Sequence, residues 1–195
     1  MGTTMMRARP SRSPALSANN NWLGLAVFLA SYALVFALLV TVYLYFRVRA
    51  PVWPPAGLAR PDPVLPALDV LVLIAAALST SWAESSIRQR RWAGLRLGLT
   101  ATSVLGVVFS LVQAFELSRI GFSIHDGTYG ATFFTLTIFH ALHVVVGVLW
   151  AGIVLARATR GYVAPEQPFA VQATVLYWYF IAVAWVIMFA VLYFW

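Results

Sequence analysis

Four polar side chains interrupt the most apolar part of this 195-residue chain. Gln113 and Glu116 lie near the end of one apolar run, and His140 and His143 lie inside the next. Ionisable side chains are costly inside a membrane span, so they mark candidate functional sites. The members of each pair are three residues apart, which places them on one face of a helix. These residue types could ligate a metal, hold a haem, carry protons or join helices through hydrogen bonds.

A carboxylate–histidine metal site requires the two pairs to meet, as they do in helical bundles that bind iron pairs. If the two runs form a hairpin that turns near residues 123 and 124, His140 lies about nine residues deeper than Glu116, or roughly 13 Å. Glu84, the other acid considered, is expected at the opposite end of its own span. The spacing therefore disfavours a metal site, and hydrogen bonding between neighbouring helices is the preferred interpretation.

Haem binding and proton transfer are the two remaining chemical hypotheses. His140 and His143 are too close on one helix to bracket one iron, although each could ligate a haem separately. Glutamate and histidine can carry protons through membranes. To continue such a relay, the first and fifth runs offer only tyrosines: Tyr32, Tyr177 and Tyr179. Buried polar groups that are satisfied by their neighbours are again the preferred interpretation.

The composition indicates an integral membrane protein. The chain is 62% hydrophobic and 10% charged, whereas soluble domains are nearer a quarter charged. In a soluble protein a net charge of +7 would suggest nucleic acid binding, but here the arginines lie between apolar runs and are expected to anchor membrane edges. The chain has no cysteine, so disulfides, thiolate metal sites and cysteine nucleophiles are excluded.

Five apolar runs are long enough to cross a membrane, which takes about 20 residues. We therefore predict an all-α integral membrane bundle of five transmembrane helices in a single domain. A polar N-terminal tail is expected over residues 1–21. The predicted spans are 22–45, 67–86, 95–117, 129–156 and 171–195.

Local signals refine this outline. Six prolines between residues 51 and 66 exclude a continuous helix there. Asp69 is expected at the N-terminus of the second helix, where an acid is favourable, and the Asp126-Gly127 pair indicates a turn. Small residues should let helices approach closely, at Gly98, Gly106, Gly147 and Gly152.

The distribution of arginine predicts the orientation. Nine of the 13 arginines lie in the N-terminal segment and in the loops 87–96 and 157–170, and four lie in the other loops. This asymmetry predicts a cytoplasmic N-terminus and a C-terminus outside. Four arginines in the loop 87–96, on the predicted cytoplasmic side, are predicted to contact lipid phosphates: Arg88, Arg90, Arg91 and Arg96.

The stretch 105–147 resembles a known family, subunit III of the haem–copper respiratory oxidases. LGVVFSLVQAFEL resembles that family's leucine-glycine, glutamine and glutamate pattern at a helix end. FSIHDGTYGATFF resembles its phenylalanine-rich loop with Asp-Gly and Tyr-Gly pairs, and FHALHVVVG resembles its two-histidine signature. The segment 47–55, which ends in Trp53-Pro54-Pro55, resembles the loop after the family's first common helix. The likeness covers 22–195, and five spans match the shorter bacterial form.

This resemblance implies an accessory subunit with no active site, haem or copper of its own. It would pack against the catalytic subunit I and other oxidase subunits in the bacterial cytoplasmic membrane, and it would bind phospholipid. The complex would reduce oxygen to water and pump protons, with electrons from cytochrome c or quinol. Four residues would then be internal hydrogen-bonding groups: Gln113, Glu116, His140 and His143.

Three positions depart from the family pattern. Family members commonly carry a serine-glutamate pair in the first span, where this chain has Ser31-Tyr32. In the last span Tyr179 stands in place of a histidine, and Ala182 stands in place of an aspartate. These losses leave open a related accessory protein of a nitric oxide reductase. A haem-binding membrane cytochrome and a small transporter are the alternatives from other classes, although no inverted repeat indicates a transporter.

Overall fold

The computed structural model describes residues 14–166 and 168–194, with side chains from residue 19 onward. Within these ranges the chain forms five long α-helices and no β-strand: α1 Pro14–Arg49, α2 Val64–Arg88, α3 Trp92–Arg119, α4 Gly127–Thr159 and α5 Phe169–Phe189. A π-helical segment, Ala190–Phe194, continues α5. All five helices are long and apolar enough to cross a membrane, which confirms the predicted architecture. Arg7, Arg9, Arg12 and Trp195, which the predictions used, lie outside the described residues.

Two helices begin earlier than the sequence indicated. α1 begins at Pro14, so part of the expected polar tail is helical, because an apolar run marks a membrane span and not the limits of a helix. α2 begins at Val64 and has Pro66 in its first turn, where the missing N–H removes no helical hydrogen bond. Asp69 therefore lies in the second turn and is only 1% exposed. Its expected place at the helix N-terminus is wrong.

Close contacts at glycine set the spacing of the helices. A Cβ on Gly98 of α3 would lie 2.8 Å from the carbonyl oxygen of Ser79 on α2. A Cβ on Gly147 of α4 would lie 3.0 Å from the ring of Tyr177 on α5. Close approach is thus confirmed at both positions. The same prediction is wrong for Gly152, where a Cβ would meet nothing within 4 Å, because that face of α4 does not meet a neighbouring helix.

Aromatic side chains fill the space between α3, α4 and α5. Trp178 and Trp185 of α5 are fully buried. Gly106 of α3 makes room for the first of these rings, since a Cβ there would lie 2.5 Å from Trp178. Trp185 packs edge-on against Phe109, with ring centroids 5.3 Å apart, which is a favourable aromatic geometry. This packing holds α5 beside the polar residues of α3 and α4.

The first helix lies at the edge of the bundle. α2 and α3 share the most extensive contact, and α5 packs on both α2 and α4. α1 contacts α4 and, to a smaller extent, α5. Little of its apolar segment is buried, whereas half of the corresponding segment of α5 is buried. Most of α1 is therefore available to lipid or to another protein.

Candidate functional site

Gln113 and Glu116 lie in a buried polar cluster near one end of the bundle. The amide Nε2 of Gln113 donates to Oε2 of Glu116 at 3.2 Å, as their spacing on α3 allows. The hydroxyl of Tyr193 donates to Oε1 of Glu116 at 2.7 Å. Glu116 is 7% exposed and Gln113 is 1% exposed. Both carboxylate oxygens of Glu116 thus have a donor, and the pair ties α3 to the π-helical segment.

Asp69 belongs to the same cluster, and sequence reasoning missed it. Its carboxylate interacts electrostatically with Glu116, and the phenol of Tyr193 is within the field of both acids. Neither carboxylate oxygen of Asp69 has a hydrogen-bond partner among the described residues. An acid next to a long apolar run was a usable signal, but the preceding prolines suggested that the helix began at this point.

His140 and His143 lie where α4 meets α5. The ring Nε2 of His140, which is fully buried, donates to the carbonyl oxygen of Ile181 at 3.1 Å. The hydroxyl of Tyr177 donates to the carbonyl oxygen of His143 at 3.0 Å. The ring Nδ1 of His143 donates to the carbonyl oxygen of Phe139 at 2.7 Å. A carbonyl oxygen only accepts, so each of these ring nitrogens carries the hydrogen.

The first helix contributes aromatic rings to these histidines. Tyr32 packs edge-on against the His143 ring, with centroids 4.5 Å apart. Phe36 lies 6.0 Å from the His140 ring and 5.4 Å from the His143 ring. The histidines therefore meet an aromatic surface on this side.

The two predicted pairs do not form one site. Ile181, which bonds His140, and Tyr193, which bonds Glu116, are separated by twelve residues along α5 and its extension, or roughly 18 Å. In residues 14–166 and 168–194 no group of three His, Cys, Asp or Glu side chains is placed to hold a metal ion. The arrangement can join helices through hydrogen bonds, and it brings two carboxyls together.

The four arginines that were predicted to bind lipid phosphates are all exposed around the α2–α3 turn: Arg88, Arg90, Arg91 and Arg96. Arg88 forms a salt bridge with Glu84 at 2.7 Å, and Arg90 forms one with Glu166 at 2.6 Å. The other two have no salt bridge to any residue that the structure describes. Contact with lipid phosphates stays a prediction.

Two apolar cavities open beside α1. One has a volume of about 430 Å³ and lies between α1, α4 and α5, with a lining that includes Gly24, Phe28, Val146, Trp150 and Tyr177. The other has a volume of about 500 Å³ and lies between α1 and α5, with a lining that includes Phe36, Val40, Val183 and Ile187. Their walls suit hydrocarbon chains better than polar ligands.

Comparison with known proteins identifies relatives. A family model described as cytochrome c oxidase subunit III matches residues 15–195. Cytochrome c oxidase subunit 3 of Oncorhynchus mykiss is 36% identical over 144 residues, which cover 73% of this chain and 55% of that protein. The Tetraodon nigroviridis protein of the same name is 37% identical over 144 residues, with the same two coverages. The Spodoptera frugiperda protein of that name is 34% identical over 144 residues, covering 73% of this chain and 98% of that protein. The match thus spans about half the length of the first two relatives and nearly all of the third.

Proposed function

Because this chain belongs to the cytochrome c oxidase subunit III family, we propose that it is a non-catalytic accessory subunit of a proton-pumping haem–copper terminal oxidase. The family match over residues 15–195 carries this proposal, because all five membrane-spanning helices of the structure fall within it. Haem and copper are held by partner subunits, which reduce oxygen to water in aerobic respiration. This chain packs against the catalytic subunit and stabilises it.

The hydrogen bonds of the candidate site support a structural role. Tyr193 bonds Glu116 across α3 and the π-helical segment, and His140 bonds the backbone of α5. Tyr177 in turn bonds the backbone of α4. Such bonds between membrane helices contribute about 0.6 kcal/mol each on average and up to about 1.7 kcal/mol. Together they resist separation of the helices, which is what a stabilising subunit requires.

The cavities beside α1 support binding of phospholipid. The cavity of about 430 Å³ has Asn20 and Asn21 in its lining, together with Phe169 at the start of α5. That end of the bundle also carries the α2–α3 turn, where Arg91 and Arg96 are exposed. Acyl chains therefore occupy the apolar walls, and phosphates lie near the guanidinium groups.

The chain is a multi-pass membrane protein, and we place it in the bacterial cytoplasmic membrane. The resemblance of its five spans to the shorter bacterial form of the family supports this placement. The N-terminus is cytoplasmic and the C-terminus is outside, because nine of the 13 arginines lie on the N-terminal side of the bundle.

A pull-down in mild detergent tests this function. The full chain carries an affinity tag, and the eluate is examined by optical spectroscopy and by oxygen uptake with reduced cytochrome c or quinol. A haem-bearing partner and oxygen reduction should co-purify with the chain. Purification without any larger haem-bearing partner contradicts the proposal, and a partner that reduces nitric oxide instead of oxygen assigns the chain to a different complex.

A further inference from the structure

The buried cluster around Glu116 contains more hydrogen-bond acceptors than donors. Both carboxylate oxygens of Asp69 and the amide oxygen of Gln113 have no donor among the described residues. The side chains of Asp69 and Gln113 are each only 1% exposed. The amide nitrogen of Gln113 donates to Glu116. Buried polar atoms are almost always paired. Three unpartnered oxygens in one cluster therefore point to a ligand that brings a donor or a positive charge.

The surroundings of the two carboxyls add negative charge and no cation. Within the described part of the chain, Glu116 is the charged group that acts on Asp69, and Asp62, just before α2, is the one that acts on Glu116, which also has the hydrogen bonds from Tyr193 and Gln113. Tyr129 of α4 acts on Tyr193 from the other side. Arg60 acts on Tyr129 and is not among the groups that act on either carboxyl. Two unpaired negative charges in such an apolar site are strongly unfavourable.

Hydrogen bonding distinguishes the two acids. Glu116 accepts one bond from Gln113 and one from Tyr193, and donors of this kind stabilise the ionised form of a carboxyl. Asp69 accepts none. A proton on Asp69 removes its charge and converts one of its acceptors into a donor, which reduces both the charge and the shortage of donors.

We propose that Asp69 is a proton-binding site, held as a neutral carboxylic acid at neutral pH beside an ionised Glu116. Binding joins a proton from water to one carboxylate oxygen, –COO⁻ + H⁺ → –COOH, and release reverses this without transfer of electrons. Asp69 lies in the second turn of α2, and Glu116 lies in the last turn of α3. The proton therefore exchanges at the end of the bundle that holds the loops 50–63 and 120–126. This site does not depend on the proposed oxidase partnership.

Infrared difference spectroscopy of the full chain in lipid nanodiscs tests the site, because a protonated carboxyl has a carbonyl stretch distinct from the amide bands. Raising the pH from neutral to alkaline should remove the band of one carboxylic acid per chain, and this band should shift in heavy water. Asp69→Asn should lose the band at neutral pH. Glu116→Gln should keep it at neutral pH or weaken it there, and should move its disappearance to lower pH, since Asp69 gives up its proton more easily without a neighbouring negative charge to hold the proton in place.

Glu166→Gln is the matched control, because Glu166 is an exposed acid on the opposite end of the bundle. It should leave the band and its titration unchanged. A band that persists in Asp69→Asn, or that is absent from the wild-type chain, overturns the proposal. The proposal is also overturned if Asp69 gives a carboxylate signal at neutral pH in sodium and this signal is lost when choline replaces sodium at constant ionic strength. A bound cation then occupies the site. If Asp69→Asn does not fold, the direction of the shift in Glu116→Gln decides.

Discussion

Replacing Gly98 with alanine should separate α2 from α3 and destabilise the bundle. The added Cβ would lie 2.8 Å from the Ser79 carbonyl oxygen and 2.8 Å from the Cβ of Ala83. Neither atom belongs to a flexible side chain, so relief requires movement of one helix. One turn further along α3, the hydroxyl of Thr102 donates to the carbonyl oxygen of Ala76 on α2 at 3.3 Å, and this bond should lengthen as the helices move apart.

The size of the effect follows from a comparison with Gly152→Ala. Alanine is favoured over glycine inside a helix by up to about 1 kcal/mol, and this gain applies equally to both substitutions. Only the Gly98 variant also has the cost of overpacking, which is about 1–3 kcal/mol, because a Cβ at Gly152 meets nothing within 4 Å. Gly98→Ala should therefore be less stable than Gly152→Ala by about 1–3 kcal/mol.

Thermal unfolding of the two variants in the same detergent, followed by circular dichroism, measures this difference. Each kcal/mol corresponds to roughly 2–4 °C in a chain of this size, so the Tm of Gly98→Ala should be lower by roughly 2–12 °C. Equal Tm values for the two variants would refute the close approach of α2 and α3.

Three further substitutions test separate contacts. Tyr193→Phe removes a donor from buried Glu116 and should lower the free energy of unfolding by about 0.6–1.7 kcal/mol; an unchanged denaturation midpoint would contradict this contact. Trp185→Ala empties a fully buried position and should lower that free energy by about 3–5 kcal/mol, with loss of the chain from any purified complex as a second measurement. Glu166→Gln breaks an exposed salt bridge with Arg90 and should change the stability by less than about 1 kcal/mol; a larger loss would show that the pair is not solvent-exposed.

The helices and local turns were predictable because their signals are local. Hydropathy alone indicated five spans, and the Asp126-Gly127 pair indicated the turn between α3 and α4. There Gly127 has φ +68° and the Asp126 carboxylate accepts the Ser123 N–H at 2.6 Å. The spacing of Gln113 and Glu116 also indicated that they share a face, and they bond each other.

Contacts between distant residues were not predictable from these signals. Tyr193 and Glu116 are 77 residues apart, and nothing near either residue indicates the other. Gly98 and Gly152 are equivalent as small residues in apolar runs, but only tertiary packing determines which one meets a neighbouring helix. Asp69 was misplaced because Pro66 was taken to lie before the helix, whereas proline is compatible with a first turn.

Metal analysis of the purified chain, without partner subunits, tests the central claim most directly. Iron and copper per polypeptide are measured together with the absorption spectrum of the same sample. If His140, His143 and Glu116 serve as hydrogen-bonding groups between helices, the chain should contain neither metal in stoichiometric amount and should show no haem absorbance. One haem or one copper ion per chain, lost when His140 or His143 is replaced by glutamine, would contradict the account.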